Sequence, residues 1–158
     1  MGLFTKNKSL EVFSPVDGEI IDISKVEDEV FSEKMLGDGL AIIPSDDSFY
    51  SPIEGKLVTV FPSGHAYGIL AKNGVEVLVH IGLDTVSLNG EGFDIKVKQN
   101  DSVQVGDLLA VVNIAEVSKK VPSMQTPIIF TTESMEGKKF EIQKTGKVKK
   151  GDLIAVVK

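Results

Sequence analysis

An all-β fold is what this sequence predicts: an antiparallel β-sandwich or barrel built from duplicated strand-turn-strand units, with at most one or two short helical turns. Three observations predict it. From residue 12 onward, short β-rich runs are punctuated by glycine and proline. Two fragments resemble each other, PVDGEII from Pro15 and PIEGKLV from Pro52. A second pair is closer, VQVGDLLAVV from Val103 and VKKGDLIAVV from Val148, each with a Gly-Asp turn before an apolar run. One unit used twice predicts two similar sheets packed face to face.

The chain has 158 residues, of which 42% are hydrophobic and 6% aromatic, enough for one domain with a real core. Without cysteine, neither a disulfide framework nor a thiolate metal site can form, and a reducing compartment is the natural expectation. No apolar run reaches membrane-spanning length and the N-terminus lacks a signal-peptide core, so a cytoplasmic protein is expected. The net charge of -6 argues against a nucleic-acid partner. All 17 basic residues are lysine, so the chain cannot itself form a bidentate guanidinium clamp on a phosphoryl group.

Taken in order, residues 1 to 11 carry Leu3, Phe4 and Leu10 among lysines and polar residues, too sparse for a helix, and are expected to be a flexible tail. Residues 12 to 158 are expected to form the single domain. Within it, 26 to 38 is expected to be a loop or short helical turn leading into the strand GLAIIPS. Its Phe31, Met35 and Leu36 are unusually apolar for a connection. Beside Phe61 they would make an exposed apolar patch of the kind that marks docking surfaces. Residues 114 to 123 space Ile114, Val117 and Val121 as a short helix would and stop at Pro122; no other helix is expected.

The chemistry concentrates in the run VEVLVHIGLDTVSLNGEGF from Val75. His80 lies inside an apolar strand, where a histidine is most simply a satisfied core residue. The other histidine, His65, opens the preceding strand, HAYGILA, and Lys72, Asn73 and Gly74 separate the two runs. With Asn73 and Gly74 as a tight turn, opposed residues sum to 147 and His80 opposes Tyr67. His65 then lies diagonally beside His80 on one face, with Cβ atoms roughly 7 Å apart, close enough to share a small anion or a metal ion. A three-residue loop would put the two histidines on opposite faces.

These residues carry a family resemblance. HIGLDTVSLNGEGF, with GHAYGI before it, SPVDGEIIDI, VFSEKMLGDGLAIIP, SPIEGKLVTVF and the two VGDLLAVV-like segments span nearly the whole chain. Together they resemble the glucose-type enzyme IIA of the bacterial phosphoenolpyruvate-dependent sugar phosphotransferase system. The resemblance implies a β-sandwich phosphocarrier that takes a phosphoryl group from the small protein HPr and passes it to a cysteine on the IIB domain of a sugar permease. His80 would be phosphorylated on Nε2, its Nδ1–H held by the carbonyl of Gly82. His65 would hydrogen-bond the phosphoryl oxygens, and Ser63, where the family usually has threonine, would orient His65.

The resemblance also makes Asp28 and Asp84 partner-binding acids and Phe31, Met35, Leu36, Phe61, Leu78 and Val86 an apolar docking collar. The acids would meet partner cations, and a flexible methionine suits a surface that serves several partners. No cofactor is required, and membrane contact is expected only through the permease. Additional binding of regulatory protein targets is expected from the resemblance, but the enteric relatives carry a longer tail before the first strand, so their membrane attachment and particular regulatory contacts do not transfer directly.

Two other classes share parts of this pattern. A zinc hydrolase on a related duplicated scaffold would need His65, His80 and Asp84 as ligands, but the chain has no His-x-His element. Zinc bridging His65 and His80 with a partner carboxylate remains compatible with the sequence. A biotinyl or lipoyl carrier would need a modifiable lysine at a hairpin tip; Lys72 is the one candidate, and it lacks methionine neighbours.

Overall fold

The computed structural model describes residues 9 to 158. Fourteen strands, all paired antiparallel, account for the architecture. They are β1 (Leu10–Phe13), β2 (Gly18–Asp22), β3 (Gly37–Pro44), β4 (Ser48–Tyr50), β5 (Gly55–Val60), β6 (Ala66–Leu70), β7 (Glu76–His80), β8 (Phe93–Ile95), β9 (Ser102–Val103), β10 (Leu108–Val112), β11 (Thr126–Thr131), β12 (Phe140–Ile142), β13 (Gly146–Val148) and β14 (Leu153–Val157). One eight-stranded sheet runs β13-β2-β3-β11-β7-β6-β5-β9, and two three-stranded sheets run β1-β14-β12 and β4-β10-β8.

The duplicated sequences land on matching places. β2 and β13 form one edge of the large sheet, β5 and β9 the other, while β14 and β10 are the central strands of the two small sheets. The two Gly-Asp turns repeat their bonding: Asp107 accepts from the Gln104 amide at 2.8 Å, and Asp152 accepts from the Lys149 amide at 2.9 Å. The amides of Ser51 and Ser14 donate to the carbonyls of those same aspartates, both at 2.8 Å. The pair of similar sheets expected from the repeats is therefore the pair of small sheets. The large sheet spans both halves.

Val12, Leu40, Ile42, Phe49, Leu57, Tyr67, Val77, Val79, Ile128, Phe130, Ile154 and their neighbours form the main core. Strand alternation assigns the opposite face of the large sheet. Ile128 pairs with Val79 in the core, whereas Ile129 pairs with Leu78 and belongs to a second cluster with Ile23, Val26, Phe31, Ala41 and Leu83. His80 shares the Leu78 face, so it projects from the sheet onto this second, smaller cluster.

Two expectations are corrected. Leu10 and Glu11 pair with Val157 and Val156, so the first strand begins inside the segment expected to be tail. The rest of that segment up to residue 8 lies outside the described residues. Five single-turn helices are present among the described residues rather than one or two: Ile23–Lys25, Glu29–Ser32, Thr85–Leu88, Ile114–Val117 and Thr132–Met135. Each is three or four residues long; the one expected over 114 to 123 ends at Val117, and most of the others are too short for apolar periodicity to register. Local caps mark several of them, as where Asp22 accepts from the Ser24 amide and Asn113 from the Glu116 amide.

Candidate functional site

The turn enclosed by Ala71 and Val75, between β6 and β7, has three residues, not two. Ala71 donates to the Val75 carbonyl at 2.9 Å, Gly74 adopts φ 93°, and Lys72, Asn73 and Gly74 form the turn. A left-handed residue closing a three-residue hairpin is the alternative to the tight Asn-Gly turn, and it shifts the register by one. His80 consequently opposes Ala66, not Tyr67. By alternation alone this separates the histidines, yet their ring centroids lie 5.0 Å apart at 77°.

The reason is that His65 stands just outside the regular strand. It leaves a turn in which Gly64 has φ 74° and donates to the Phe61 carbonyl at 2.7 Å. The pleat does not dictate its side-chain direction there. The ladder resumes at its own carbonyl, which accepts from the Ile81 amide at 2.7 Å. The expected proximity is present by a route different from the one expected.

Each imidazole has one nitrogen engaged. Nδ1 of His80 lies 2.7 Å from the carbonyl of Gly82. A carbonyl only accepts, so Nδ1 carries the proton and Nε2 keeps its lone pair while the ring is neutral. Nδ1 of His65 lies 2.5 Å from Oγ of Ser63. Phe31 stacks obliquely on His80 with centroids 5.0 Å apart, and Phe61 meets His65 edge-on at 5.1 Å.

Burial favours the neutral rings. His65, 3% exposed, is held down to a pKa of about 4, first by desolvation and then by His80. His80 is also lowered by desolvation, opposed by its bond to Gly82 and by the charge of Asp28.

The residues expected to meet partners separate into two groups. Met35, Leu36, Phe61 and Val86 are exposed, at 67, 44, 41 and 52%. Val30, 38% exposed on the helical turn beside Phe31, joins them; its signal was its place in the apolar group VFSEKML. Leu78 is half-buried against the second cluster. Phe31 is not part of the exposed group: it is 4% exposed and covers His80 from within that cluster.

Asp28 is the N-cap of the turn Glu29–Ser32, its carboxylate accepting from the Val30 amide at 2.9 Å. Asp84 is exposed in the left-handed conformation (φ 58°), and its side chain makes no capping bond to the turn Thr85–Leu88. Among the described residues no group of three or more histidine, aspartate or glutamate side chains is placed to hold a metal ion. The ligand set required by a zinc hydrolase is therefore not assembled. No helix among them is long and apolar enough to cross a membrane.

Fold and site together define a class: a duplicated antiparallel β-sandwich presenting two neighbouring imidazoles on one face of its large sheet. Residues 10–136 match the family described as phosphoenolpyruvate-dependent sugar phosphotransferase system, EIIA 1. The chain is 55% identical over 152 residues to the PTS system glucose-specific EIIA component of Mycoplasma capricolum, covering 96% of this chain and 97% of that one. It is 44% identical over 147 residues to the glucose-specific EIICBA component of Staphylococcus carnosus, covering 93% of this chain but 22% of that longer protein. A solved structure, glucose permease IIA from Mycoplasma capricolum, superposes with a TM-score of 0.90 at 54% identity, covering 95% of this chain and 96% of that one.

The chain belongs to the EIIA 1 family and is a phosphotransfer component of the sugar phosphotransferase system.

Proposed function

We propose that the chain is a cytoplasmic phosphocarrier that accepts a phosphoryl group from phospho-HPr on Nε2 of His80 and passes it to a cysteine of the IIB domain of a glucose-type permease. One observation carries the reading: the Gly82 carbonyl holds Nδ1–H of His80, leaving Nε2 with a lone pair beside a second neutral imidazole. That lone pair forms the new P–N bond as the donor's P–N bond breaks and its electron pair returns to the donor imidazole. Onward transfer breaks the P–N bond at His80 as a P–S bond forms to the acceptor thiolate.

His65 supports the transfer without accepting the phosphoryl group. With the Ser63 hydroxyl donating to its Nδ1, its Nε2–H is free to donate to a phosphoryl oxygen, a positioning and electrostatic role in which the protein supplies little covalent chemistry. The rim of Val30, Met35, Leu36, Phe61 and Val86 would seat the partner, and Asp84 would meet a partner cation. The fused IIA, IIB and IIC arrangement named for the Staphylococcus carnosus relative supports a IIB partner for this chain. Zinc held by His65 and His80 would need further ligands from a partner, and transfer does not require it.

The test is incubation with phosphoenolpyruvate, enzyme I and HPr, followed by assay for an acid-labile, base-stable phosphate. Wild-type protein should take up one equivalent and His80→Ala none; an unlabelled wild type would overturn the function, and a labelled His80→Ala would overturn the site. For His65→Gln, uptake should persist while transfer to IIB is impaired.

A further inference from the structure

His80 owes the free lone pair on Nε2 to one hydrogen bond, and that bond depends on where the Gly82 carbonyl points. Gly82 has φ 75°, a conformation side chains rarely adopt, and the two peptide units around it are each restrained from outside. In the unit before it, the Ile81 carbonyl accepts from the hydroxyl of Thr85 at 2.7 Å, and one unit earlier the Ile81 amide donates to the His65 carbonyl at 2.7 Å. In the unit after it, the Leu83 amide donates to the Ser123 carbonyl at 2.9 Å.

A trans peptide holds its N–H and C=O antiparallel. Restraining the Leu83 amide on Ser123 therefore aims the Gly82 carbonyl the other way, toward Nδ1 of His80. Freedom would remain about Gly82 itself, and there Thr85 closes the arrangement. Thr85 is 0% exposed, a buried polar side chain whose one donor is used on this loop. Its methyl group packs so closely on Gly82 that a Cβ built there would lie 2.6 Å from Cγ2.

We propose that Thr85 is a positioning residue for phosphoryl transfer: through its hydroxyl on Ile81 it fixes the Gly82 carbonyl that selects the Nδ1–H tautomer of His80. It touches neither imidazole's reactive nitrogen nor the incoming phosphoryl group, and acts wholly through Gly82. The inference rests on the phosphocarrier reading for its consequence, but the tautomer can be measured without any transfer.

Nitrogen-15 NMR of histidine-labelled protein reads that tautomer directly. Wild type should show His80 as the single Nδ1–H form. Thr85→Val, equal in shape but without the donor, should show mixed tautomers and accept phosphate from phospho-HPr about tenfold more slowly, the effect of losing roughly one buried hydrogen bond. Thr85→Ser, which keeps the hydroxyl, should restore both. If Thr85→Val does not fold, Thr85→Ala compared with Thr85→Ser makes the same distinction. A pure Nδ1–H tautomer in a variant lacking the hydroxyl, or a mixed one in Thr85→Ser, overturns the proposal. Absence of phosphate uptake by wild type would instead overturn the phosphocarrier reading and leave the tautomer comparison intact.

Discussion

At the scale of single residues, burial of His65 makes the protein acid-sensitive in a defined window. Its folded pKa, about 4, lies below the ordinary histidine value of 6.5, so between those values the unfolded chain binds more protons. Stability is therefore full above that window and falls as pH drops through it. Lowering the pH from 7 to about 4.5 should cost about 2 kcal/mol through His65, seen in urea unfolding, and His65→Gln should remove that part of the loss. His80, lowered in the same direction, steepens the decline. Ser63 is expected to matter through orientation: Ser63→Ala should leave phosphate uptake on His80 intact and slow onward transfer, as measured by single-turnover assays with IIB. Equal onward rates would detach Ser63 from the mechanism.

At the scale of elements, the short turn Glu29–Ser32 connects Asp28 to the site by structure as well as charge. Asp28 caps the turn, the turn carries Phe31, and Phe31 covers His80. Asp28→Ala should cost about 1 kcal/mol through the lost cap, whereas Asp28→Ser should retain it. Thermal unfolding separates the two, and comparing transfer rates then isolates what the carboxylate's charge contributes. If Asp28→Ala and Asp28→Ser melt together, the cap is not holding this element. Strand β3 shows a different constraint: a Cβ at Gly39 would lie 2.0 Å from the Ile128 carbonyl oxygen of β11. Gly39→Ala should therefore displace the pairing that supports Leu78 and His80, costing roughly 1–3 kcal/mol in chemical denaturation.

Across the whole molecule, the duplicated halves build the two small sheets and supply the two edges of the large one, and the site occupies the outer face of that shared sheet. Phe61 is 41% exposed and touches the site through its edge-on contact with His65. Phe61→Asp should leave the melting transition nearly unchanged while reducing transfer from phospho-HPr by about a hundredfold, as expected of an apolar anchor at an interface. A variant that transfers normally would exclude the rim from docking. Much of this design was legible in the chain. The repeated Gly-Asp turns announced the duplication, since a left-handed glycine followed by a carboxylate that accepts a turn amide is a local requirement, and local requirements are written in adjacent residues. The residues that pair His65 with His80, Ser63 and Gly82 were also identifiable from their motif. What the chain alone could not fix was geometry that depends on one residue of register or on contacts distant in sequence. The three-residue turn reversed the alternation from which the histidine pairing was argued, and only the backbone leaving Gly64 brings the rings together. Phe31 reads as one more exposed apolar residue until β3, β11 and the loop after His80 close around it. Sequence by itself determined the all-β class, the duplicated units and the chemical groups, because these follow from local pattern and composition. Tertiary structure decided which face, which neighbour and which carbonyl each group meets, because those are set by the packing of segments far apart in the chain.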